Sequence, residues 1–144
     1  MGLDRFRMME KIGYISSQIE DIRTLLAVKR KEEILADPWV MRGLKYSLQT
    51  AVEAVIDLAY HIAAKKYGVA PTDARDALRV LGEHGLVKKE KLAVFSAMVG
   101  FRNRLVHGYQ EVSPQRVYEI ALHELGDLEE FVRSIVPLTE GEDG

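Results

Sequence analysis

The sequence predicts an all-α fold, an antiparallel up-and-down bundle of four to five helices. Three observations carry this expectation. Apolar residues recur at spacings of three and four over most of the chain, Asp, Ser, Pro and Gly stand where helices would start and stop, and no run alternates β-branched residues as a strand would. The connecting segments are short, which favours antiparallel neighbours.

Residues 4 to about 28 set Phe6, Met9, Ile12, Ile15, Ile19, Ile22, Leu25 and Leu26 along one apolar stripe of a long helix. The charged stretch Lys29-Arg30-Lys31-Glu32-Glu33 either continues that helix or forms its exit. Asp37-Pro38 is an N-cap followed by a first-turn proline, and the helix it opens runs to Tyr67 and stops at Gly68. Pro71-Thr72-Asp73 starts a shorter helix that ends near His84-Gly85. The next spans Lys88 to about His107, with Leu92, Phe95, Met98, Val99 and Leu105 inward. Ser113-Pro114 caps the last, which carries Val117, Ile120, Leu125, Leu128, Phe131 and Ile135 toward Pro137. From about 139 to 144 the chain is acidic and glycine-containing, as a loose tail would be.

A chain of 144 residues is expected to form a single domain over 1–144, burying roughly 68–70% of its unfolded surface without covalent staples. The absence of cysteine excludes disulfides, cysteine–zinc sites and thiolate nucleophiles, and fits a cytoplasmic setting. The start, Met1 to Phe6, is charged where a secretory signal turns apolar, and Phe6 stands where myristoylation wants Ser or Thr. The longest apolar stretch, Leu48 to Ala64, is broken by Gln49, Glu53, Asp57 and His61, so no membrane contact is expected. The formal net charge of −2 is unevenly spread. Between Arg75 and Arg104 seven Lys or Arg face three acids, whereas nine acids face two arginines from Glu111 onward. Such a basic stretch suits either a phosphate ligand or an ordinary solvated helix face.

Most constellations of catalytic residues are missing. There is no Gly-rich phosphate loop and no Glu-x-x-His, and the four histidines are widely spaced, so neither a cofactor nor a metal site is expected. The segment Arg102 to Tyr109 is different. It gathers two guanidiniums, an amide, an imidazole and a phenol at the end of an apolar helix. Asn103 and His107 lie one turn apart on a face that Ser96 and Gly100 continue backwards, and Gly100 lets a ligand or a second backbone come close. Arg102 and His107 are about 140° apart around a straight helix. For the two to meet, either the helix breaks before Gly108 or the site is composite, with two protomers contributing. Alternatively the arginines are surface charges and His107-Gly108 merely ends the helix, where the dipole favours histidine. Asp57 lies in the apolar run Ala54 to Ala59. It is either a core-facing partner that locks Arg102 in place or, with Glu53 and His61, part of a solvent strip. His84 and His123 read as surface or capping residues.

The pattern Arg102-Asn103-x-x-x-His107-x-Tyr109 resembles the Arg-x4-His-x-Tyr signature of the HepT-like branch of HEPN domains. These are the toxin halves of toxin–antitoxin pairs with a small nucleotidyltransferase. Ala51 to Ala59, Met98 to Asn103 and Asp127 to Phe131 look similar to the same family, so the likeness spans roughly 40 to 135, and no motif position departs from it. The resemblance implies a metal-independent ribonuclease acting on RNA as a homodimer, with the active cleft along its two-fold. It implies that Arg102 and His107 are the catalytic pair, that Asn103 supports them, and that Tyr109 receives AMP from the nucleotidyltransferase antitoxin. A second function fits the same resemblance: a non-catalytic module that binds nucleotide or provides a docking surface completing a nucleotidyltransferase.

Overall fold

Local capping chemistry starts the helices in the computed structural model, which describes residues 2–108 and 112–140. Helix α1, Arg5–Val28, opens where the Asp4 carboxylate accepts the Arg7 N–H (3.0 Å). A short α2, Lys31–Ala36, follows and buries Ile34. Helix α3, Pro38–Lys65, begins with proline in its first turn and with Asp37 accepting from the N–H groups of Trp39 and Val40 (2.9 and 3.3 Å). Asp73 caps α4, Ala74–Glu83, through the Asp76 N–H. A 3-10 turn at Lys89–Lys91 leads into α5, Leu92–His107. Ser113 caps α6, Pro114–His123, which is followed by α7, Leu125–Ile135, and a 3-10 turn at Val136–Thr139. Residues 141–144 of the expected tail lie outside the described residues.

The fold is all-α, and no strand occurs among the described residues. The seven helices among the described residues exceed the expected four to five for two local reasons. The charged stretch after α1 turns back into a helix of its own, held where Glu33 accepts the Arg30 N–H (2.9 Å). The last helix divides at Glu124, whose ψ of 1° leaves the helical basin, just before the weak helix former Gly126. The bend lets α6 pack on α2 and α3 while α7 packs on α1 and α3.

Helix α3 is the axis of the bundle, with twelve buried residues from Met41 to Ala63. Cross-links fix its antiparallel pairing with α1: Asp4 with His61, Lys11 with Asp57, and Tyr14 with Thr50. The α1 stripe is buried at Met8, Ile15, Ile19 and Ile22, whereas Phe6 and Met9, expected inward, are 73% and 56% exposed. Met8 is seven residues from Ile15 and so shares its face, and Met9 is turned about 100° away. No helix among the described residues is long and apolar enough to cross a membrane.

The N-terminal anchor carries a pH dependence. The Asp4 N–H donates to Nε2 of His61 (2.9 Å), which accepts only while the imidazole is neutral. Burial, and then the charge of Arg7, hold the His61 pKa below its ordinary value, with Asp4 opposing them. A depressed folded pKa contributes stability above the unfolded value of about 6.5, and that contribution is lost as pH falls through the folded value. The melting temperature is therefore expected to fall more steeply for the wild type than for His61→Gln between about pH 7.5 and about pH 5. Parallel profiles would show that His61 does not titrate with folding.

Candidate active site

Helix α5 is pinned to the core by Phe95, Met98, Val99 and Phe101, which fixes where its opposite face points. The helix runs unbroken through His107. It stops at Gly108, whose φ of 68° is the left-handed conformation glycine adopts without strain, and whose N–H reaches the Arg104 carbonyl (3.1 Å). Of the two geometries open to the sequence, a break before Gly108 is therefore not the one adopted. Arg102 and His107 keep an offset of about 140° within one chain.

Arg102 and Asn103 open onto a cleft of about 300 Å³ between three helices. Ile56 and Tyr60 of α3 form one wall, the start of α4 from Asp73 to Arg75 another, and Val99 of α5 its base. Both Arg102 and Asn103 are half-buried, and the Nε of Arg102 is enclosed without a hydrogen-bond partner among the described residues. His107 is exposed one turn beyond Asn103, on the same row of the helix but past the cleft wall.

Arg75 is the residue that sequence reasoning missed. Its Nε donates to the Ser96 hydroxyl (2.7 Å) and its Nη2 to the Ser96 carbonyl (3.2 Å). The guanidinium lies over Gly100, with Nη2 2.9 Å from where a Cβ would stand and Nη1 of Arg104 3.9 Å from the same point. The group that comes close to Gly100 is thus a side chain of α4. The signals for it were Gly100 itself and the basic stretch beginning at Arg75.

The expected pairing of Asp57 with Arg102 does not form. Asp57 is on the exposed strip of α3 and makes a 2.8 Å ion pair with Lys11 of α1, its side chain 47% accessible. Glu53, Asp57 and His61 recur every fourth residue, so their shared row faces the α1 edge and not α5. Tyr109, the expected site of modification, lies outside the described residues. His84 caps α4, donating from Nδ1 to the Val80 carbonyl (3.0 Å) and stacking on Tyr67 at 3.8 Å. No group of three or more His, Asp or Glu among the described residues is arranged to hold a metal ion.

The model of the "Ribonuclease HepT-like" family matches residues 15–135. The chain belongs to that family. Among curated relatives, the mRNA nuclease HepT of Shewanella oneidensis is 35% identical over 86 residues, covering 60% of this chain and 65% of that protein. The chain thus spans a little under two thirds of that relative's length in the aligned segment. A putative RNase of Archaeoglobus fulgidus is 28% identical over 113 residues, 78% of each protein. Among solved structures, the tri-AMPylated Shewanella oneidensis HEPN toxin in complex with MNT antitoxin superposes with a TM-score of 0.82 at 29% identity. That match covers 90% of this chain and 96% of the toxin. The arginine, asparagine and histidine of this HepT-like chain thus lie on the last turns of a helix whose fold is shared almost end to end.

Proposed function

We propose that this HepT-like chain is a metal-independent endoribonuclease toxin of the cytoplasm, acting as one HEPN domain and silenced by a partner nucleotidyltransferase. The observation that carries the reading is the set Arg102, Asn103 and His107 on the closing turns of α5, in a chain matched by the HepT-like family over residues 15–135. RNA supplies its own nucleophile, the 2′-hydroxyl, so the protein has only to move protons and stabilise charge. His107 takes the 2′-hydroxyl proton as general base. The 2′-oxygen bonds to phosphorus as the bond from phosphorus to the 5′-oxygen breaks, and the 5′-oxygen takes a proton from water, giving a 2′,3′-cyclic phosphate and a 5′-hydroxyl. Arg102 offers a planar fork of donors to the phosphate as its charge grows, and Asn103 supports it.

The 140° offset is the reason for placing this chemistry in a homodimer. A two-fold running past the end of α5 brings Arg102 of one copy toward His107 of the other. The test is cleavage of RNA in EDTA by the wild type and none by His107→Ala. Equal cleavage by the variant, or cleavage abolished by EDTA, would remove the reading.

Regulation follows from Tyr109, two residues beyond His107. AMP on its phenol adds a phosphate that competes for Arg102 and a base that fills the approach to the site. Incubation with ATP, magnesium and the cognate nucleotidyltransferase is expected to add AMP mass to the wild type and none to Tyr109→Phe. A gain that persists in the variant would place the modification elsewhere.

A further inference from the structure

We infer that Arg75 and Arg104, converging over Gly100, form a second phosphate subsite that holds the RNA backbone one step from the phosphate being cleaved. The inference rests on the ribonuclease reading above and extends it to residues outside the Arg102–His107 pair.

Two like charges have been brought together beside Gly100. Arg75 spends its hydrogen bonds on the neutral hydroxyl and carbonyl of Ser96, and neither Arg75 nor Arg104 forms an ion pair among the described residues. Other arginines nearby are matched: Arg79, one turn further along α4, pairs with both Asp76 (2.5 Å) and Glu83. Asp73, the carboxylate on the cleft wall, accepts the N–H of Asp76 (2.8 Å) and forms no ion pair with Arg75. The guanidiniums of Arg75 and Arg104 converge beside Gly100, with Nη2 and Nη1 2.9 and 3.9 Å from where its Cβ would stand, and glycine there is what lets Arg75 come so close. Repulsion between such groups is relieved by an anion, and a phosphodiester oxygen pair matches a guanidinium fork in shape and charge.

Position identifies the phosphate as part of a polymer. Arg75 also lines the cleft that Arg102 and Asn103 open onto, so a strand with one phosphate at Arg102 meets Arg75 next. A lone nucleotide at Arg102 would leave the second site empty.

The test measures binding of a single-stranded 2′-O-methyl oligoribonucleotide, which lacks the attacking hydroxyl, by fluorescence anisotropy across a range of salt. Arg75→Gln and Arg104→Gln are each expected to weaken binding roughly tenfold or more. Each should also make the dependence of log K on log salt shallower by about 0.7, as for one lost single-strand phosphate contact. Gly100→Ala sets a Cβ against the Arg75 guanidinium while improving helix propensity. It is expected to weaken binding without lowering the melting temperature, an effect that loss of structure would not produce. Arg42→Gln, beside Trp39, is the control for the general field and should leave the slope unchanged. Unchanged affinity and slope in Arg75→Gln would overturn the subsite, as would no binding of the oligonucleotide by the wild type. Arg75-dependent binding of AMP equal to that of the oligonucleotide would overturn it as an RNA-backbone site. Cleavage in EDTA separates the two readings. An enzyme that cleaves with Arg75 irrelevant retains the nuclease and loses the subsite. A protein that binds through Arg75 and cleaves nothing retains the subsite and loses the nuclease.

Discussion

Alanine at Arg102 or at His107 is expected to lower RNA cleavage by about 10²–10⁴-fold, and mixing the two inactive variants is expected to bring activity back. Each replacement removes one group from every site of its own homodimer. In a mixed dimer whose site joins Arg102 of one copy to His107 of the other, one of the two sites is intact. Random exchange makes half the dimers mixed, so recovery should approach about a quarter of wild-type activity. A site built within one chain would recover nothing on mixing. The measurement is initial rate in EDTA before and after the variants are unfolded together and refolded. Failure to recover, with mixed dimers demonstrated by mass, would end the composite-site reading and leave the requirement for each residue standing.

What could be read from the sequence follows from how far each physical signal reaches along the chain. Asp4, Asp37-Pro38, Asp73 and Ser113-Pro114 start helices through bonds to residues two or three positions away, so their meaning is local and survives folding. Gly68, Gly85 and Gly108 stop helices with positive φ for the same reason. The face of a helix is harder. Phe6 and Met9 fit a three-and-four spacing as well as Met8 does, and only the line of contacts from α1 to α3 decides between them. Pairing across the fold is hardest. Nothing near Asp57 announces Lys11, 46 residues away, and nothing near Ser96 announces Arg75, 21 residues away. The family signature marked Arg102, Asn103 and His107 because their spacing lies within two turns of one helix. It gave no notice of Arg75, whose place depends on how closely α4 approaches α5. That approach is visible at a second point, where a Cβ on Gly82 would meet Leu92 at 2.8 Å.

Phe131→Ala is expected to cost about 3–5 kcal/mol of stability. Phe131 is fully buried on α7 and meets Phe95 of α5 edge to face, ring centroids 5.7 Å apart. Truncation removes the transfer energy of the ring, leaves a cavity that neighbouring helices close only in part, and ends an aromatic contact worth about 0.5–1.5 kcal/mol beyond its buried area. Against a total of about 5–15 kcal/mol for a domain, such a loss brings the chain close to its unfolding threshold. Urea denaturation should show the midpoint moved down with the slope unchanged. A loss below about 1 kcal/mol would mean that the bundle closes over the gap. The consequence for function is distinct from that of the site variants. Phe95 lies about two turns before Arg102 on the same helix, so its anchor on α7 helps to set the height of the turn proposed to carry the catalysis. In low temperature and without denaturant, where Phe131→Ala remains folded, cleavage per folded molecule should fall far less than in His107→Ala. Heating should then remove its activity and its helical signal together. Activity lost well before helicity would show that the Phe95–Phe131 contact governs the position of α5 more than the survival of the fold.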